Sequence, residues 1–209
     1  MKDPLKQAVI DGNMDTALAL TQALIATGAP AREVLDDALL PGMEVVGARM
    51  REAEIFIPEV LLSARVMQAC LDLLRPHMAA GEEAGMGTVV IGTVEGDLHD
   101  IGKNLVGMML QGAGFTVVNL GTGVKSADFV AAVKEHQPKI IGMSALLTTT
   151  LPHMGETIAA LKEAGLRDSV KVMVGGAPVT QAWADEVGAD GYGANAGMAV
   201  DRAKALAGG

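Results

Sequence analysis

The sequence predicts two folds in series: an all-α helical bundle over residues 1–80, then an α/β domain over residues 88–209 with a five-stranded parallel sheet of Rossmann-like, flavodoxin-like form. Three observations predict this. Up to about Met78 the apolar residues recur only at helical spacing. Beyond Thr88 short, continuous apolar runs alternate with amphipathic stretches, the pattern of strands buried on both faces and covered by helices. Every conspicuous polar or glycine-bearing loop in this second half follows a strand candidate, so the loops gather at one sheet edge.

In the first half, Gly12-Asn13, Gly28-Ala29-Pro30 and Pro41-Gly42 divide the chain into four or five short helices. The clearest has Val60, Ala64, Met67, Leu71, Leu74 and Met78 on one stripe, with Pro58 near its start and Pro76 where it weakens. Glycine, alanine and glutamate without periodicity from Ala79 to Gly87 mark a linker, placed at 81–87. Strands are expected at Thr88–Thr93, Phe115–Leu120, Ile140–Ser144, Val170–Val174 and, weakly, Asp190–Tyr192. The intervening helices fall near Ile101–Gln111, Ala127–Glu135, His153–Ala164, Gln181–Glu186 and Met198–Leu206.

Composition narrows the function. A formal charge of −9 disfavours nucleic acid, whose phosphates select clustered Lys and Arg. No uncharged apolar run is long enough to span a bilayer, and Met1-Lys2-Asp3-Pro4 does not resemble a secretory leader. A single cysteine, Cys70, excludes an internal disulfide and fits the cytoplasm. With 2% aromatics but 13 Met and 26 Gly, packing must rely on aliphatic and thioether side chains. The loop Gly92-Thr93-Val94-Glu95-Gly96 lacks the dinucleotide glycine spacing, and no phosphate-binding loop with its lysine is present. NAD, FAD and ATP are therefore disfavoured.

The most informative stretch runs from Thr93 to Gly102, where His99 stands beside Asp97 and Asp100 between a strand and a helix start. A neutral imidazole can offer one nitrogen to a metal while a carboxylate accepts the proton on the other. His77, His136 and His153 lack a carboxylate at such a spacing and are read as helix-end or surface residues. Trp183 and Cys70 are read as packing residues, and Glu82-Glu83 as a solvated pair.

Asp97-x-His99-x-x-Gly102, followed by Ser144-x-Leu146 and Gly175-Gly176, resembles the cobalamin-binding module of methionine synthase and of the small corrinoid proteins in methanol, methylamine and aryl-ether methyltransferase systems. The preceding helical stretch makes the stand-alone methyltransferase corrinoid protein the better match, over nearly the whole chain. The resemblance implies cobalamin or a related corrinoid, bound base-off and His-on. His99 is then the lower axial cobalt ligand, Asp97 its hydrogen-bond acceptor, and Thr150 the hydroxyl that extends the relay where methionine synthase has serine. Gly96, Leu98, Asp100, Gly102, Ser144, Leu146, Thr148, Gly175, Gly176 and Ala196 match cofactor-contacting positions. The small residues, with Gly142 and Ala177, would line a slot for the nucleotide tail. Met50, Ile57 and Val60 match cap positions over the upper cobalt face, Met50 replacing an aromatic.

The implied function is that of a methyl carrier, a subunit of a multi-component system and not an enzyme by itself. Its implied partners are a substrate-specific methyltransferase, a second methyltransferase acting on tetrahydrofolate or a thiol, and a reductive activase. Two other readings compete. The small subunit of an adenosylcobalamin-dependent mutase shares the histidine motif but generally lacks the helical cap, and a cobalamin-linked transcription regulator would need a basic reading helix that the acidic first half does not offer.

Overall fold

Short breaks with distinct chemistry set the helices of the first half. In the computed structural model, which describes residues 1–78 and 85–208 and leaves out the Arg51 side chain, α1 (Lys2–Ile10) ends where Gly12 takes φ +65°. Asn13 then caps α2 (Met14–Ala26), its side chain accepting the Thr16 N–H at 3.1 Å. After Gly28, at φ +76°, and Pro30 the chain re-enters helix as α3 (Ala31–Val34).

The break expected at Pro41-Gly42 is absent. Instead α3 passes through a π-helical turn, Leu35–Leu39, directly into α4 (Leu40–Arg51). Pro41 has no N–H to give the carbonyl of Asp37, and its ring would crowd that carbonyl in a regular helix. One wider turn absorbs the conflict without stopping the helix. Helix α5 (Ile57–Leu74) starts with Pro58 in its first turn, and the Phe56 N–H donates to Glu59 at 2.8 Å. It gives way to a single 3₁₀ turn, Arg75–His77, at Pro76.

The expected stripe of α5 is inside: Val60, Ala64, Met67, Leu71 and Leu74 are buried, the last three with no more than 1% exposure. Met78 falls beyond the helix yet packs on the same core, with Leu5, Val9, Leu35, Leu39 and Cys70. Ala53, between α4 and α5, is a non-glycine residue at φ +57°. Of the linker expected at 81–87, residues 81–84 lie outside those described.

The second half alternates strand and helix as β1 (Thr88–Thr93), α6 (Ile101–Gly112), β2 (Thr116–Asn119), α7 (Ser126–His136), β3 (Ile140–Ser144), α8 (Pro152–Glu163), β4 (Lys171–Gly175), α9 (Gln181–Val187), β5 (Gly191–Gly193) and α10 (Ala196–Ala207). Five expected strands are found, all parallel, in the order β2-β1-β3-β4-β5. Helix α10 begins at Ala196, earlier than expected, because the Asn195 side chain accepts the Met198 N–H at 2.9 Å.

Val90, Ile141, Met143, Val172 and Val174 meet Phe129, Met154, Ile158 and Leu161 in one core. Burying Phe129 completely stabilises this layer by about 2–3 kcal/mol, and Gly92 of β1 makes its room, since a Cβ there would lie 2.7 Å from the ring. The chain divides into two compact units, Met1–Gly87 with Met108–Phe115, and Thr88–Gly107 with Thr116–Gly209.

Candidate functional site

Strand order decides where a site can form. With β1 flanked by β2 on one side and β3 on the other, the loops after β1 and β3 leave the sheet in different directions at a switch point. Asp97 and His99 lie on the first loop and Leu146 to Thr150 on the second. The backbone ties the two together, as the Val94 N–H donates to the Ser144 carbonyl at 3.0 Å.

Asp97 is fully buried and works as an acceptor on both oxygens. Oδ1 takes the His99 ring Nδ1 at 2.7 Å and the His99 N–H at 3.0 Å. Oδ2 takes the N–H of Leu146 at 2.7 Å and of Leu147 at 3.3 Å. The Thr150 hydroxyl lies 2.9 Å from both Oδ2 and the Leu147 carbonyl, and its single proton favours the charged acceptor. Burial alone would raise this carboxyl's pKa. The Leu146 and His99 N–H groups, the His99 ring and the Thr150 hydroxyl outweigh burial and hold it well below the usual carboxylate range.

An ionised carboxylate only accepts, so the proton of neutral His99 sits on Nδ1 and the Nε2 lone pair is left for a ligand. The His99 side chain is 53% exposed, so that nitrogen is accessible while its partner is locked. Large apolar side chains on the same two loops and at the start of α6 are uncovered: Leu98 at 76% exposure, Ile101 at 87%, Leu146 at 44% and Leu147 at 42%. Apolar groups left in water beside a ligating nitrogen suit a broad, flat ligand.

The structure brings Asp97, His99 and Thr150 into one network, with Leu146 joined through its N–H. Gly96, at φ +78°, and exposed Gly102 flank them, and a Cβ on Gly102 would meet nothing within 4 Å. Asp100 instead turns to α6, where its carboxylate accepts the Asn104 side-chain amide at 2.9 Å. Ser144, Gly175, Gly176 and Ala196 are half-buried at the same edge, and Thr148 and Ala177 are exposed on it. Gly176 is at φ +131°, where a Cβ would run into the Ala145 carbonyl, so only glycine lets the β3 and β4 loops approach this closely. Gly142 is filled space, since a Cβ there would press on Ile91 at 3.3 Å. In the helical unit Ile57 is partly exposed, while Met50 is half-buried and Val60 buried in the core.

Two contributors were not foreseen. The buried Thr93 hydroxyl donates to the His99 carbonyl at 2.9 Å, fixing the loop from the strand side. Lys103 is 5% exposed, with Nζ 2.7 Å from Oδ1 of both Asn104 and Asn119. Burial lowers its pKa, and nearby Asp100 partly offsets this. A readable signal existed: Lys103, Gly107 and Leu110 share the inward stripe of α6, where a lysine is out of place. His153 lies in the first turn of α8, a helix-end residue as expected, though it has a carboxylate neighbour, its Nδ1 lying 2.8 Å from Glu156. Among the described residues no three His, Cys, Asp or Glu side chains cluster to hold a metal ion.

A family model described as a B12 binding domain matches residues 87–201, and a second model of that description matches residues 1–75. A corrinoid protein of Desulfitobacterium hafniense is 46% identical over 99% of this chain and 97% of its own length. The chain belongs to the B12-binding corrinoid proteins. Other members include a dimethylamine corrinoid protein of Methanosarcina mazei, 46% identical over 97% of this chain and 94% of its own length. The solved methanol:cobalamin methyltransferase complex MtaBC of Methanosarcina barkeri contains a chain that superposes with a TM-score of 0.83 at 34% identity, covering 99% of this chain and 79% of that one. For a B12-binding corrinoid protein the donor set fits. A cofactor that brings most of its own metal donors would need the chain to add little, and the exposed His99 ring, with Nδ1 held by Asp97, would have Nε2 to offer.

Proposed function

We propose that this corrinoid protein holds its cofactor base-off through His99 and carries a methyl group from a substrate-specific methyltransferase to a second one acting on tetrahydrofolate or a thiol. A bound corrinoid supplies a cobalt centre that accepts and releases a methyl group. The chain supplies the rest. His99 presents Nε2, Asp97 fixes its tautomer and ring direction, and the Leu146 N–H, Leu147 N–H and Thr150 hydroxyl hold Asp97. The observation that carries this reading is the buried carboxylate bound at 2.7 Å to one nitrogen of an exposed imidazole.

Asp97 would keep the ring proton on His99 Nδ1 and so leave Nε2 as the nitrogen that holds the metal of a bound corrinoid. Leu98, Ile101, Leu146 and Leu147 exclude water from the bound face. Gly96, Asp100, Gly102, Ser144, Thr148, Gly175, Gly176 and Ala196, in or beside the loops that follow the strands, are assigned to the corrin and its displaced tail.

The partner sets the donor. Relatives that take their names from dimethylamine and trimethylamine, and the methanol complex, support a methylated amine or alcohol. A reductive activase would restore oxidised cofactor. The mutase reading is not favoured, because the helical half is itself matched by a B12-binding model and the full-length relatives are corrinoid proteins. No helix among the described residues is long and apolar enough to cross a membrane. The test is anaerobic reconstitution with hydroxocobalamin and mixing with an amine- or methanol-specific methyltransferase and its substrate. A coloured chain that becomes methylated supports the proposal, and a folded chain that leaves desalting colourless contradicts it.

A further inference from the structure

Lys103 is a charged side chain buried in the foot of α6, and its ammonium bonds the side-chain oxygens of Asn104 and Asn119 with the Asp100 carboxylate nearby. An ammonium is costly to bury unless its donors are used, so this pair of amide oxygens serves a purpose that an apolar residue would not. The purpose can be traced through the bonds it makes. On one side Lys103 bonds Asn104, whose Nδ2 donates to Asp100 Oδ2 at 2.9 Å and whose N–H donates to the Asp100 carbonyl at 2.7 Å. Asp100 directly follows His99.

On the other side Lys103 bonds Asn119 at the end of β2, and that same Oδ1 accepts the Gly121 N–H at 3.0 Å. This shapes the loop after β2. From that loop the Gly123 N–H donates to the Asp97 carbonyl at 3.0 Å, and the Gly121 carbonyl accepts the Thr93 N–H at 3.0 Å. Asn119 Nδ2 closes the ring by donating to Asn104 Oδ1 at 3.1 Å.

We propose that Lys103, with Asn104 and Asn119, is a positioning residue that grips the His99 loop from both ends and sets the direction of its imidazole. Removing the ammonium leaves Asn104 and Asn119 joined only by their 3.1 Å amide bond. The Asp97 end and the Asp100 end of the loop are then less firmly coupled, while the Asp97–His99 bond itself survives. The inference rests on His99 being the axial ligand.

The test uses the full chain with isotopically labelled histidine, as wild type, Lys103→Met, Lys103→Arg and His99→Ala. Reduced cobalamin on each is followed by electron paramagnetic resonance for labelled-nitrogen coupling, and amide exchange is followed on the chain without cofactor. The expected result is a folded Lys103→Met protein whose corrinoid affinity falls roughly 10- to 100-fold. At equal occupancy it loses labelled-nitrogen coupling, residues 94–104 exchange faster, and Lys103→Arg recovers part of both. Wild-type coupling and exchange in Lys103→Met would overturn the proposal. If Lys103→Met does not fold, Asn119→Ala decides by the same two readouts. Absence of coupling in wild type itself would instead overturn the His99 assignment.

Discussion

Replacing Asp97 by asparagine keeps the volume of the side chain and removes its charge, and the structure fixes how the amide must turn. Three donors, the Leu146 N–H, the Leu147 N–H and the Thr150 hydroxyl, claim one oxygen position, so the amide oxygen goes there. The NH2 group then faces the His99 N–H, a donor against a donor. One unsatisfied donor costs about 1–3 kcal/mol, and losing the charge from the two shortest remaining bonds costs roughly 0.5–1 kcal/mol each. The expected loss is about 3 kcal/mol at neutral pH. The NH2 group also donates to Nδ1, which moves the ring proton to Nε2 and blocks it as a ligand.

The pH dependence has a definite sign. Because the folded Asp97 carboxyl is held below its unfolded value, its contribution is full above about pH 4 and drains away as pH falls below that. The gap between wild type and Asp97→Asn should therefore close in acid. The chain's single tryptophan, Trp183, packs on the core of the sheet unit, so urea unfolding followed by its fluorescence reports that unit. Equal midpoints at pH 7, or a gap that is the same at pH 7 and in acid, would refute the argument.

Three further outcomes are expected. Ala53→Gly relieves the left-handed strain between α4 and α5 and should raise the melting temperature of the helical unit, by about 1 kcal/mol of stability, seen by circular dichroism. Asp190→Ala acts at the sheet edge opposite the site, removing the 2.8 Å Arg167 pair and the 2.7 Å bond from the Val172 N–H. It should cost about 2 kcal/mol in urea titration while leaving corrinoid retention unchanged. The Cys70 thiol, buried in the helical core and raised in pKa by that burial, should label with a thiol reagent only at the rate at which this unit opens.

Much of this was legible in the sequence because the two periodicities are clean. Continuous apolar strands such as Ile140–Ser144, and the α5 stripe, leave few alternatives for their burial. The Asp97-x-His99 spacing was legible too, since the carboxylate and ring lie within one turn of chain. Pro41 misled because a proline signals a break only when the helix cannot widen, and tertiary packing of Leu35, Ala38 and Leu39 held it together. Thr93 and the Lys103 network were hidden for a different reason. Thr93 meets the His99 carbonyl only through the way its own loop turns back, and the Asn119 amide reaches Lys103 from β2, which the strand order sets beside β1.

The most direct measurement of the central claim is the nitrogen coupling to cobalt in the reduced, cobalamin-loaded chain carrying isotopically labelled histidine. The structure predicts that labelling changes the coupling pattern in wild type and that His99→Ala shows no such change. A pattern indifferent to the label in wild type, or one retained in His99→Ala, would contradict it.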